Sequence, residues 1–382
     1  MTRTSSAPGS PARSSRASTS SPCTAARPCH DQMPRSGARD LAAIPVERKQ
    51  PHVMLRKAAL LVGIDDYHGR PLDGCVNDAD ALAILLSHNE DRSPNFKCAT
   101  LVAPRTAARS EPTVTRSALR DYVHEIFARH VDMALFYFSG HGTVTTRGGV
   151  LVTQDTTRSD EGITMAEIVD AANQSEIEHI TIIVDACFSG RLGNASAIRD
   201  GHAVLNEGVS ILAASSPQET AIERSGRGVF TSLVCGALEG GASDVMGDVT
   251  VAGIYSYAEQ ALGPLDQRPM FKSNVSRMLP LRTCRPVVMA DALRELTDYF
   301  PSARSEYQLD PAHEPDHTQH PPGTTPDAAK ERTFSNLQKL RAARLVTPVG
   351  EDHMFYAAIR SKSCRLTPLG QFYWRRAKED LL

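Results

Sequence analysis

The chain has 382 residues, with 42 Lys+Arg against 44 Asp+Glu, 41% hydrophobic and 5% aromatic residues, so a net charge of −2 commits it to neither a polyanion nor a membrane surface. Composition excludes collagen, coiled-coil and wholly disordered classes, and the length allows one core domain plus a smaller unit. The eight Cys contain no CxxC pair and no cluster that suggests a disulfide framework or a zinc site, which points to a reducing compartment. There is no apolar run long enough for a membrane span and no secretory h-region, so a soluble, cytoplasmic protein is expected.

Residues 1–54 are dominated by Ser, Arg, Ala and Pro and lack periodicity, so they read as a disordered tail. A later start, at Met33 or Met54, would account for them equally well. From Lys57 the pattern changes. KAALLVGI (57–64) reads as a strand and NDADALAILLSHN (77–89) as a helix. KCATLVA (97–103), MALFYFS (133–139), HITIIVDA (179–186) and VSILAAS (209–215) are predicted strands. VTRSALRDYVHEIFARH (114–130), TMAEIVDAANQS (164–175), FTSLVCGALEG (230–240) and VTVAGIYSYAEQALG (249–263) are predicted helices. Continuous apolar strands alternating with amphipathic helices predict an α/β fold, a mostly parallel sheet covered on both faces, over residues 55–282.

A further helix is expected within 283–300 and a Pro- and His-rich linker over 301–329. Residues 330–382 then place Phe334, Leu337, Leu340 and Leu345 near one helix face. MFYAAI and SKSCRLT read as hairpin strands, and PLGQFYWRRAKEDLL as a last helix. Helix, hairpin and helix resemble a winged-helix-like C-terminal unit.

Two strand ends carry reactive residues: Tyr137-Phe138-Ser139-Gly140-His141-Gly142 and Val184-Asp185-Ala186-Cys187-Phe188-Ser189-Gly190. Ligands of open parallel sheets bind beyond the carboxyl ends of the strands, where both His141 and Cys187 fall. A thiol with an ordinary pKa is only partly ionised at neutral pH, so an imidazole beside it is what nucleophilic chemistry requires. Either residue alone would be read as structural. The pair, at matching strand ends with glycine flanks, reads as a dyad.

VGIDDY, LDGCVNDADAL, YFSGHG, VDACFSG and QRPMF together resemble the caspase-like superfamily of cysteine peptidases, the metacaspase and prokaryotic caspase-homologue branch (peptidase C14) more than animal caspases. The resemblance covers residues 57 to about 280. It implies Cys187 as nucleophile, His141 as general acid/base and the backbone N–H groups of Gly142 and Cys187 as oxyanion hole. It also implies an acidic S1 pocket from Asp78, Ser139 and Asp185, and hence an endopeptidase cutting after Arg or Lys. Asp185 stands where caspases carry Gln, and two carboxylates would pair with a guanidinium and repel an acidic P1.

Many relatives need calcium. Here Asp155, Asp160 and Glu161 are acidic, but Thr164, Met165 and Ala166 replace the usual paired acids, so no metal or other cofactor is expected. Arg191, Arg199, Arg224 and Arg227 lie in polar stretches where autolysis could occur. The expected partner is a peptide or protein with a basic P1, with a second protein at the C-terminal unit. Two alternatives stand beside the peptidase: an inactive caspase-like scaffold, and a DNA-binding or adaptor protein, since residues 331–382 hold ten basic residues against five acidic. DNA is the weaker of these, because +5 on a small domain is commonly only a solvated surface. The neutral average therefore hides two basic ends, +7 over residues 1–57 and +5 over 331–382, around a body of −14.

Overall fold

The computed structural model describes residues 55–105, 111–146, 148–157, 161–188, 204–214, 223–224, 227–262 and 269–382. The expected N-terminal tail lies outside them. In chain order the elements begin β1 (Lys57–Ile64), α1 (Cys75–Ser87), β2 (Phe96–Ala103), α2 (Arg116–Phe127), β3 (Met133–Thr145), β4 (Gly148–Val152), β5 (Gly162–Thr164), α3 (Met165–Asn173), β6 (His179–Phe188) and β7 (Val209–Ala213). A two-residue pair, β8 (Glu223–Arg224) and β9 (Arg227–Gly228), precedes α4 (Val229–Gly236), which runs into a π-helical turn. Then follow β10 (Asp248–Val249), α5 (Val251–Ala261), β11 (Met270–Asn274) and β12 (Arg282–Thr283).

The main sheet has the order β11-β7-β6-β3-β1-β2, parallel throughout except for antiparallel β11. The central strands are buried on both faces because they are apolar at most positions, while the edge strands β2 and β11 carry exposed polar residues such as Lys97 and Ser273. Alternation then deals successive side chains to opposite cores. Ala58, Leu60, Val62 and Ile64 of β1, with Ala134, Phe136 and Phe138 of β3, join Leu119 and Val123 of α2 and Ile168 of α3. Ala59 and Leu61, with Leu135 and Tyr137, join Leu82 and Leu86 of α1, Val234 of α4 and Ile254 of α5. The mostly parallel, helix-flanked sheet expected from the sequence is present. β3 also runs past the body of the sheet to pair with β4, which pairs with β5.

The C-terminal region departs from expectation in three places. The helix expected within 283–300 is two short ones, α6 (Ala290–Arg294) and α7 (Leu296–Tyr299). The stretch 301–329, read as a linker, carries β13 (Glu306–Gln308) and two 3-10 turns, with Leu309 and His313 fully or almost fully buried. After α8 (Ala328–Ala342) and β14 (Val346–Val349), MFYAAI is a helix, α9 (Met354–Ile359), not a strand. A short apolar run does not distinguish helix from strand by its own periodicity. β15 (Ser363–Leu366) and α10 (Pro368–Lys378) complete the chain. β14 and β15 do pair antiparallel, but a helix joins them instead of a hairpin turn, and β13 adds a third strand, so the winged-helix expectation is not carried by this arrangement. Phe334, Leu337, Leu340 and Leu345 are wholly buried in a third core with Leu309, Phe300 and Trp374, whose indole N–H donates to the Phe300 carbonyl at 2.7 Å. Residues 54–382 form one compact unit.

Candidate active site

The site lies where β6 ends and β3 leaves the body of the sheet. Their parallel register pairs Ser139 with Asp185, Gly140 with Ala186, His141 with Cys187 and Gly142 with Phe188. Neighbouring strands lie about 4.8 Å apart, so the backbones of His141 and Cys187 are immediate neighbours. Of Cys187 the structure describes the backbone position only. Gly142 sits opposite Phe188 on one side and Leu151 of β4 on the other.

His141 is half-buried and held from three directions. Its Nε2 lies 2.7 Å from the Arg70 carbonyl. A carbonyl only accepts, so Nε2 carries the proton and Nδ1 of the neutral ring is left with its lone pair. The His141 backbone N–H donates to the Tyr67 hydroxyl at 3.1 Å, and that hydroxyl donates to the Val152 carbonyl at 3.1 Å. The Tyr67 and His141 rings are tilted against each other with centroids 4.6 Å apart. Desolvation lowers the His141 pKa from its ordinary value, with the Arg70 charge acting in the same direction, while the carbonyl bond opposes both. Gly140 is required here, because a Cβ on it would lie 2.4 Å from the Tyr67 hydroxyl.

The three acidic-pocket residues come together on the α1/α4 face of the sheet. Asp78, in the first turn of α1, is almost wholly buried, and the Ser139 hydroxyl donates to its Oδ2 at 3.2 Å. The Gly228 N–H donates to the same carboxylate at 3.2 and 3.3 Å. Asp78 therefore does more than face the start of its own helix. Asp185 retains partial solvent access. Its Oδ2 accepts from the Thr231 hydroxyl at 2.6 Å and the Thr231 N–H at 3.2 Å. Burial in the surrounding protein pushes its carboxyl above the usual carboxylate range, and the Thr231 bonds oppose that shift. Gly228 sits between the two acids: a Cβ there would lie 2.7 Å from Asp185 Oδ2 and 3.1 Å from Asp78 Oδ2.

Sequence reasoning missed Tyr67, Arg70, Gly228 and Thr231. Tyr67 stands inside the quoted VGIDDY motif and Thr231 begins two residues into a predicted helix, but Arg70 acts through its carbonyl and Gly228 through its lack of a side chain, which no residue pattern announces. Cys75 is buried, and desolvation pushes its thiol far up. Of the carboxylates toward β5 and α3, Glu167 and Asp155 are engaged, whereas Glu161 Oε2 is buried without a hydrogen-bond partner among the described residues. Glu167 pairs with Arg120 at 2.9 Å and Arg116 at 3.5 Å and closes a capping box with Thr164, while Asp155 accepts from Thr153 and the Arg116 N–H. Asp160, Arg191 and Arg199 lie outside the described residues, as do the side chains of Arg224 and Arg227. Among the described residues no helix is long and apolar enough to cross a membrane, and no group of three or more His, Cys, Asp or Glu could hold a metal ion.

A family model described as the caspase domain, peptidase C14, matches residues 56–280. Among solved structures, a structural-genomics protein from Geobacter sulfurreducens is 14% identical, covering 60% of this chain and 100% of its own, with a TM-score of 0.43. Caspase-1 from Spodoptera frugiperda is 17% identical, covering 64% of this chain and 98% of its own, with a TM-score of 0.41. Scores that low carry no weight beside the family match. No curated protein matches.

Proposed function

The chain belongs to the caspase-domain family of cysteine peptidases, and from that premise we propose that it is an endopeptidase hydrolysing peptide bonds after Arg or Lys through a His141–Cys187 dyad. The observation that carries this reading is the register that makes His141 and Cys187 neighbours at the carboxyl ends of β3 and β6. Asp185 is paired with Ser139 two positions before the dyad, and the Ser139 hydroxyl donates to the second carboxylate, Asp78 of α1.

In the proposed mechanism the Arg70 carbonyl holds the Nε2–H tautomer, so Nδ1 takes the Cys187 thiol proton. The thiolate adds to the scissile carbonyl, and the oxyanion is received by backbone N–H groups, for which Gly142 and Cys187 are the candidates. The imidazolium returns the proton to the leaving amine. Water then attacks the acyl-enzyme with His141 as base, releasing the acid and the free thiol. A guanidinium or ammonium at P1 would meet Asp185 and Asp78, and a P1 Asp would be repelled.

The reaction as written needs no metal. Glu167, in the first turn of α3, is paired with Arg116 and Arg120, which a cation bound there would have to displace. The C-terminal unit is the candidate for a regulatory protein contact. A panel of fluorogenic peptides with Arg, Lys or Asp at P1 tests the proposal. Turnover of the Arg and Lys peptides is expected, falling at least about a thousandfold in Cys187→Ala. Cleavage after Asp, or turnover that survives the substitution, would overturn it.

A further inference from the structure

We propose that Thr231 is a specificity-determining positioning residue: backed by Tyr137, its hydroxyl fixes the orientation of Asp185 and so sets how tightly a basic P1 side chain is held. The inference rests on the S1 reading above and adds to it the element that controls the pocket.

Thr231 has no solvent exposure and cannot touch a substrate, so any effect it has must pass through what it bonds to. Those partners are two. Its Oγ1 lies 2.6 Å from Asp185 Oδ2 and 2.6 Å from the hydroxyl of Tyr137, which is itself wholly buried in β3. An ionised carboxylate only accepts, so Thr231 donates to Asp185, and its lone pair is then left to accept from Tyr137. The proton order is thus fixed in one direction, Tyr137 to Thr231 to Asp185. A second bond from the Thr231 backbone N–H to the same oxygen closes a two-point clamp, which leaves the carboxylate little freedom to rotate. One turn earlier Gly228 holds Asp78 in the same way, so the start of α4 grips both pocket acids.

The surroundings make Asp185 sensitive to this clamp. Facing it are Tyr137 from β3, Asp78 and Cys75 from α1, and Thr231 from α4, while β7 (VSILA) contributes no charged side chain. Burial holds Tyr137 and Cys75 protonated, so neither adds a negative charge beside Asp185. Among the described residues, the two Thr231 bonds oppose the desolvation that raises the Asp185 carboxyl.

Thr231→Val keeps the shape and removes the hydroxyl. With the P1-Arg peptide, KM is expected to rise about tenfold with kcat within about twofold, the signature of lost binding to ground and transition state alike. The pH below which KM for this peptide rises should move upward, because Asp185 without its donor protonates more readily. Thr231→Ser should restore both. If Thr231→Val does not fold, Tyr137→Phe carries the test, with a KM rise of about threefold in the same direction. Unchanged KM and unchanged pH dependence of KM in these variants, while Asp185→Asn loses the Arg preference, would overturn the inference alone. An Asp185→Asn enzyme with wild-type preference would instead remove the S1 reading and the inference with it.

Discussion

The two halves of the candidate site are held by different means. His141 is positioned from outside the sheet, by the Arg70 carbonyl and the Tyr67 ring and hydroxyl in the loop after β1, and stays half exposed. The acids are positioned from inside, by hydrogen bonds from the N-terminal turn of α4 packed on the sheet. The difference follows from what each would have to do. A proton carrier needs one ring nitrogen fixed and the other accessible, which two contacts on one edge provide. Carboxylates meant to remain ionised away from water need donors aimed at them, and a helix N-terminus supplies those without a bound ion.

Breaking the interior half should have the larger effect. Gly228→Ala puts a Cβ 2.7 Å from Asp185 Oδ2 and 3.1 Å from Asp78 Oδ2, so the pocket carboxylates must shift out of their hydrogen bonds to make room. We expect KM for the P1-Arg peptide to rise about a hundredfold and the melting temperature to fall in keeping with about 1–3 kcal/mol of overpacking, read by steady-state kinetics and thermal denaturation. On the outer half, Tyr67→Phe removes the acceptor of the His141 N–H and the donor to Val152. A loss of about tenfold in kcat with KM nearly unchanged is expected, with a stability cost of about 1 kcal/mol. An equal change in KM would mean that Tyr67 shapes the pocket and not the histidine.

The smallest effect separates the halves by pH. Burial favours the neutral imidazole, so His141 takes up its proton below the ordinary histidine value of 6.5. As the proposed base it is active when neutral. Activity set by His141 should therefore persist as pH falls through 6.5 and fail below it, which a kcat/KM profile on the P1-Arg peptide would show. A limb above 6.5 would contradict the desolvated setting of His141. Asp185→Asn should leave the His141 limb in place while weakening Arg binding, since the two groups are held by separate contacts.

The parts legible in the sequence share one physical property, that neighbours along the chain suffice to express them. β1, β3, β6 and β7 are apolar at consecutive positions because both faces are covered, and that is visible in KAALLVGI or HITIIVDA alone. His141 and Cys187 were legible because each follows an apolar run directly after a small residue, Gly140 or Ala186, with a glycine close behind, Gly142 or Gly190. MFYAAI was not, since six residues fit either period, and packing of Met354, Ala357 and Ala358 into the third core selects the helix. Nor was the order in 301–329: Leu309 and His313 are buried by α8 and β15, far along the chain from the Pro-rich composition around them.

By itself, then, the sequence determined the α/β alternation, the family to which residues 56–280 belong, and the side chains at the two strand ends. Only the tertiary structure decided that β3 and β6 are neighbours in a register placing His141 beside Cys187, and that α4 turns its first N–H groups onto Asp78 and Asp185. The reason is that strand pairing and helix docking are contacts between distant segments. Their decisive groups, a carbonyl at Arg70, an N–H at Gly228 and a hydroxyl at Thr231, gain meaning only from what the fold sets opposite them.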